Sequence, residues 1–492
     1  MPIYQYTNTP MTIMQDPLSG KRIVILGLAR QGKALAQFAA AVGAHVVVSD
    51  MRPAEKLADI LGELKELEIE YVLGDHPFRV LDGTDVLAIS GGVSLEMPLV
   101  QEAIQRGIVL TNDSQEFMRR CTAESIGITG SAGKTTTTAL TGVMSQMAGR
   151  RTWVGGNIGR PLIADLHKMG AEDVVVQELS SFQLEIWQQS PHIAAVLNIT
   201  PNHLDRHKTM AAYVEAKANI LRYQGADDVA ILSVDDPGSR SLASLVQGKL
   251  RLFSTRHPVK EGAFVHEGRI WLRNGKDQVV CHVDEIRLRG PHNVANVLAA
   301  TLLADSAGIP LDAIRKAIMT FGGVEHRLEP VAMVNGVQFI NDSIATAPER
   351  VLAALHSFTE PLILLAGGRD KEMVWDEWSR QVTARCKAVV LFGALAEMLA
   401  QRLANCELIT ETGLPLPAAS LPVVRVNTLA EAVNAAAALA VSGDVVLLSP
   451  GGTSYDAFTD FEERGRLFRE LVRQIFPGAQ TELRVAVRKG YL

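Results

Sequence analysis

From Arg22 onward, short uninterrupted apolar runs alternate with longer stretches in which apolar residues recur every three or four positions. The runs at 23–26, 46–48 and 86–89 read as strands, and 34–42 reads as a helix between the first two. The same rhythm returns at 126–129, 174–176 and 193–197, and again at 337–340, 362–365 and 445–448. Unbroken runs rich in Val and Ile, with no alternation, are expected of parallel strands covered on both faces. Residues 228–290 differ: they are β-rich, and Asn274-Gly275 predicts a hairpin turn. Residues 210–224 read as a helix, as does the stretch opening at His292. Residues 1–20 carry no period and read as a loose arm.

Glycine and polar residues cluster where these strands end. Residues 126–138 run strand, Gly-loop, helix, the order that cradles phosphates. Gly130 and Gly133 allow close backbone approach, the amides of Ser131, Ala132 and Thr136 are expected to point with the others toward the anion, Lys134 can reach the β- and γ-phosphates, and the Thr135 hydroxyl can bind Mg²⁺. ATP is the expected ligand. In the first βαβ unit, residues 27–32 form a tight loop and Asp50 stands 23 positions past Gly27, where a Rossmann domain places its ribose-binding acid. Ala29 stands where the second fingerprint glycine belongs, and Arg52 is suited to a phosphate or a base. Ser90-Gly91-Gly92 ends the strand at 86–89.

Glu178 and His203 follow the strands at 174–176 and 193–197, on the same sheet edge as the phosphate loop. Glu178 reads either as a solvated or capping acid or as a metal ligand, and His203 either as a helix cap or core histidine or as a metal ligand. Lys217 has Tyr213, Val214, Ile220 and Leu221 at helical spacing, which puts its amine on an apolar face. It either snorkels to water or, with its pKa lowered by burial, takes up CO₂ as a carbamate that ligates a second Mg²⁺. Asn293 and Asn296 lie three apart on a helix face, suited to capping or to an adenine edge.

The 492 residues suffice for about three domains. The pattern predicts an α/β fold: a Rossmann-like domain at 1–121, a central P-loop ATPase-type domain with a mostly parallel sheet at 122–327, and a Rossmann-like doubly wound domain at 328–492. A net charge of −6 without a long basic run argues against nucleic acid and anionic membranes as partners. Four scattered cysteines suggest free thiols in a reducing compartment. With no signal peptide and no apolar run long enough to cross a membrane, a cytoplasmic location is expected. An NAD-dependent dehydrogenase would account for residues 23–50, and an ATP-driven switch for the phosphate loop, but neither accounts for both.

Taken together, the motifs resemble the Mur ligase family. They are Gly-Ser-Ala-Gly-Lys-Thr-Thr at 130–136, Gly-Gly-Asn-Ile-Gly at 155–159, Glu-Leu-Ser-Ser-Phe-Gln-Leu at 178–184 and Asn-His-Leu-Asp-Arg-His at 202–207. His-Asn-Val-Ala-Asn at 292–296, Asn-Asp-Ser-Ile-Ala-Thr at 341–346 and the stretch at 454–465 complete the set. The resemblance implies ATP-dependent joining of an amino acid to a carboxylate in peptidoglycan precursor synthesis, with UDP-N-acetylmuramoyl-L-alanine and D-glutamate as substrates, two Mg²⁺ ions, and a monomer. It implies that Gly27, Arg30, Gln31, Asp50, Arg52 and Gly92 serve the UDP part, and Asn157 and Ser180 the muramoyl part. Lys134 would contact the γ-phosphate, Thr135 and Glu178 one Mg²⁺, and His203 with carbamylated Lys217 the other. Asn293, Asn296, Arg327 and Asp342 would surround ATP, and Thr346, Lys371, Ser454, Tyr455 and Phe461 the incoming glutamate.

Overall fold

The computed structural model describes residues 16–202, 204–288, 290–371, 373–406, 408–409, 415–416, 421–476 and 485–487. Among them are three large sheets, each served by helices, giving the expected α/β class. The first sheet has five parallel strands in the spatial order Ile69–Leu73, His45–Asp50, Arg22–Leu26, Val86–Ile89 and Val109–Thr111. The order reverses between Arg22–Leu26 and Val86–Ile89, and such a reversal opens a crevice at the C-terminal strand ends.

The second sheet has nine strands. Its parallel part runs Thr152–Gly156, Val174–Glu178, Glu124–Thr129, Ile193–Val196, Val229–Ser233, Lys249–Ser254 and Gly262–His266. Arg269–Asn274 and Lys276–His282 then add an antiparallel ribbon. That ribbon turns at Gly275, whose φ of +73° is glycine's territory, as Asn274-Gly275 predicts. Val174, Val175, Val176, Ile193, Ala194 and Ala195 are fully buried, as strands covered on both faces must be.

The third sheet runs Glu329–Val334, Val337–Asn341, Val445–Gly451, Leu362–Gly367, Cys386–Phe392 and Val423–Arg425, antiparallel at the first pair and parallel thereafter. The chain divides into two compact units, the first holding the first two sheets and the second the third. Apolar packing explains why the first two sheets go together. Leu162, Ile163 and Val175 of the central region share one core with Ile23, Leu35 and Val48. No helix of the described residues is long and apolar enough to cross a membrane.

Candidate active site

Glu124–Thr129 lies between Val174–Glu178 and Ile193–Val196, all parallel, so the segments after these three strands emerge side by side. The first becomes the Gly-loop and then the helix Lys134–Met147. Gly133 caps that helix at φ +84°, and a β-carbon there would lie 2.2 Å from Asn296 Oδ1. Only glycine meets both conditions. The same contact brings Asn296, on the helix His292–Ser306, against the loop. Asn293, one turn earlier, is buried as well.

Several of the side chains singled out in the sequence gather at this point. Thr135 Oγ1 donates to Glu178 Oε2 at 2.9 Å, and Asn157 Nδ2 donates to Glu178 Oε1 at 2.9 Å. Lys134 Nζ folds back onto the carbonyls of Gly130 (2.8 Å) and Ser131 (3.2 Å). Lys217 is 1% exposed, so its amine does not snorkel to water. Nζ donates to Gly130 O at 3.0 Å and Thr129 Oγ1 at 3.4 Å, and it sits 4.6 Å from the Tyr213 ring centroid. Burial holds this amine well below the usual ammonium range. Positive Lys134 pushes the same way, and Glu178 opposes them.

The expectation that all loop amides point one way is not met. Ser131 N donates to Asn198 O at 2.9 Å, and Ala132 N donates to Asn198 Oδ1 at 2.8 Å. Asn198 Nδ2 returns a bond to Ala132 O at 3.1 Å. The side chain of Asn198 thus splints the loop from behind, and the anion-binding potential falls to the first turn of Lys134–Met147, where Thr135 and Thr136 sit. The Ser180 hydroxyl and Gln183 form a capping box that starts the helix Ser181–Leu184. His203 lies outside the described residues.

At the first sheet's crevice, Gly27 (φ +90°) follows one strand and Ser90 Oγ bonds its carbonyl at 3.0 Å from the other. A β-carbon on Gly32 would lie 1.9 Å from Gly27 O, so the helix Arg30–Ala41, which also carries Gln31, starts tight under the loop. A β-carbon on Gly92 would meet nothing within 4 Å. Asp50 accepts from Leu28 N (2.7 Å), Arg52 N (2.8 Å), Arg52 Nε (2.9 Å) and Arg52 Nη2 (2.7 Å). Burial opposes its ionisation, but these donors and the guanidinium outweigh it and hold the carboxyl at about 2. Arg30 Nη2 reaches the carbonyl of Asn157 at 3.3 Å, joining this crevice to the Glu178 cluster.

In the second unit, Asn341, Gly367 and Gly451 end adjacent parallel strands. Asp342 is buried, accepting from Ser449 Oγ (2.8 Å) and Leu328 N (3.2 Å). Burial pushes its carboxyl up to about 7, against those bonds and the charge of Arg327. Lys371 Nζ lies 5.6 Å from the ring centroid of exposed Tyr455, next to buried Ser454. Phe461 starts the helix Phe461–Ile475, its carbonyl taking a bond from Ser343 Oγ at 2.7 Å, and Thr346 is half-buried beyond the loop. Sequence reasoning missed Arg464, which is fully buried and donates to Ser343 Oγ (3.0 Å), Ser343 O (2.9 Å) and Gly452 O (3.2 Å). The available signal was its one-turn spacing from Phe461 and Phe468, on the face that packs inward.

Comparison with known proteins adds to this geometry. The family model for the Mur ligase MurD-like N-terminal domain matches residues 21–112, that for the Mur ligase middle domain 128–304, and that for the Mur ligase glutamate ligase domain 326–452. A UDP-N-acetylmuramoylalanine–D-glutamate ligase of Symbiobacterium thermophilum is 41% identical, over 92% of this chain and 98% of that protein. The chain belongs to the Mur ligase family. A protein of the same name from Pelotomaculum thermopropionicum is 39% identical to this Mur ligase, over 94% of this chain and 100% of that protein. Among solved structures, the fold is shared with a UDP-N-acetylmuramate–alanine ligase of Thermotoga maritima (TM-score 0.54, 19% identity, 92% of this chain and 99% of that one). It is shared as well with MurF of Acinetobacter baumannii (TM-score 0.56, 18% identity, 92% and 91%).

Proposed function

We propose that the chain is an ATP-dependent ligase that adds D-glutamate to UDP-N-acetylmuramoyl-L-alanine, releasing ADP and phosphate. The relatives just described carry that activity in their names and match nearly the whole chain. The observation that carries the chemistry is the convergence of Lys134, Thr135, Glu178 and Lys217 at three adjacent strand ends. The alanyl carboxylate attacks the γ-phosphorus, the bond to ADP breaks, and an acyl phosphate forms. The glutamate amine then attacks the acyl carbon, loses a proton, and phosphate leaves as the amide forms. Lys134, released from the loop carbonyls, neutralises charge on the transferring group.

Mg²⁺ fits the donor set. A hydroxyl and a carboxylate 2.9 Å apart offer only hard oxygen atoms, beside the helix terminus that would hold the phosphates. Among the described residues no cluster of three or more His, Cys, Asp or Glu stands ready for a metal. Thr135 and Glu178 would hold one ion, and His203 with carbamylated Lys217 a second. The ions would supply charge neutralisation to the triphosphate. Asp50, Arg52, Gly27, Arg30, Gln31 and Gly92 serve the UDP end. Ser454, Tyr455, Lys371, Thr346 and Phe461 serve glutamate.

The test is ADP release with UDP-N-acetylmuramoyl-L-alanine against a panel of D- and L-amino acids. D-Glutamate is expected to stimulate release most. If no amino acid does so, the ligase reading is wrong, and preference for another amino acid would move the chain to a sister activity.

A further inference from the structure

Arg206 joins parts of the first unit that are far apart in sequence. Its Nη1 donates to Gly91 O and its Nη2 to Val93 O, each at 2.5 Å. Its guanidinium carbon lies 4.0 Å from the Phe182 ring centroid. Residues 91–93 belong to the loop after Val86–Ile89, one of the two loops flanking the first sheet's crevice. Phe182 lies in the helix Ser181–Leu184, just beyond Glu178. The Arg206 side chain is 16% exposed, so its charge-assisted bonds work in a poorly solvated setting.

The next residue carries the link inward. His207 contacts Ser181 Oγ at 2.9 Å and Glu185 Oε1 at 3.0 Å, and its ring packs on Phe182 and Tyr213, with centroids 5.2 and 5.0 Å away. The Tyr213 hydroxyl bonds Ser131 Oγ at 3.0 Å, on the phosphate loop. One helical turn, Leu204–His207, therefore spans from the crevice loop of the first sheet to the phosphate loop of the second.

We propose that Arg206 is a positioning residue for the sugar nucleotide: by fixing residues 91–93 it sets the span between the nucleotide end of the substrate and the phosphate loop, so that the far carboxylate arrives at Lys134. This rests on the ligase reading above. Binding energy from the remote UDP end is useful only if it places the reacting atoms, and a misplacement of about 1 Å costs on the order of 10²-fold. A lysine keeps the charge and the stem but lacks the planar fork that bridges two carbonyls.

The experiment compares the unsubstituted chain, Arg206→Ala and Arg206→Lys on two substrates, UDP-N-acetylmuramoyl-L-alanine and N-acetylmuramoyl-L-alanine lacking the nucleotide. With the full substrate, Arg206→Ala should lose about 10²-fold in kcat/KM, with the KM for ATP unchanged and Arg206→Lys intermediate. With the truncated substrate, which draws nothing from the crevice, all three should turn over alike. Equal loss on both substrates, or no loss on the full one, overturns the proposal. If Arg206→Ala fails to fold, Arg206→Lys carries the test with the same opposed outcomes. An unsubstituted chain that turns over neither substrate refutes the ligase reading itself, a result distinguishable from either of these.

Discussion

Lys134 and Lys217 share one acceptor, the carbonyl of Gly130, at 2.8 and 3.0 Å. Two amines at one oxygen repel when both are charged, and the buried one yields first. A neutral amine is the form that would add CO₂, and a carbamate at Lys217 would replace repulsion with attraction toward Lys134.

Lys217→Ala is therefore expected to lose at least about 10²-fold in kcat, the scale for removing one electrostatic contact in a closed site. A short added carboxylate such as acetate should restore part of the loss by filling the space. Steady-state ADP release checks both, and unchanged turnover in the variant would show that Lys217 has no part in the reaction.

Glu178→Gln keeps a partner for Thr135 and for Asn157 but removes the negative charge. We expect a loss of roughly 10²–10³-fold in kcat, with the substitute needing far more Mg²⁺ for half-maximal rate. Titrating Mg²⁺ after chelation measures this. An unaltered Mg²⁺ dependence would remove Glu178 from the ion site.

Gly133→Ala forces an alanine into φ +84° and its methyl against Asn296. The left-handed conformation alone costs about 1–2 kcal/mol. Adding Asn296→Ala should relieve the collision but not that conformational cost, so the double variant should melt above Gly133→Ala and below Asn296→Ala. Thermal denaturation of the three variants tests the ordering.

Two buried acids should respond to pH in opposite ways. Asp50 is held at about 2, below the 3.8 of an unperturbed aspartate, so its contribution to stability is present above pH ~3.8 and lost as pH falls toward 2. Asp50→Asn should melt lower than the native chain at pH 7, with the gap closing in acid. Asp342 is raised to about 7, so its contribution is fullest below pH ~3.8 and declines as pH rises to 7. Asp342→Asn should gain on the native chain as pH goes from 4 to 8. Melting temperatures from pH ~2 to ~4 check the Asp50 sign, and from pH ~4 to ~8 the Asp342 sign.

The parts that could be read in advance were those encoded by local order. Residues 126–138 announce strand, loop and helix in sequence, and Glu178 announces itself by ending a buried strand. Lys217 was readable as far as its apolar face, but whether its amine reached water depended on Gly130 and Thr129, far away in the chain. Asn198 and Arg206 could not be assigned roles because each acts on backbone carbonyls or amides of another segment, and a carbonyl carries no sequence signature. Ser180 carried a signature with two meanings, cap and ligand contact, and the capping partner Gln183 sits three residues on in plain view.

Glu124–Thr129 has a hydrogen-bonded neighbour along each side, whereas Lys276–His282 closes its sheet with one side unpaired within it. Deuterium should therefore enter 276–282 by fraying and enter 126–129 only when the molecule opens through its middle. The candidate site is thereby fastened to a strand expected to exchange slowly. Damage to the outer ribbon should erode the exchange map from the rim inward while turnover persists, until the whole first unit gives way.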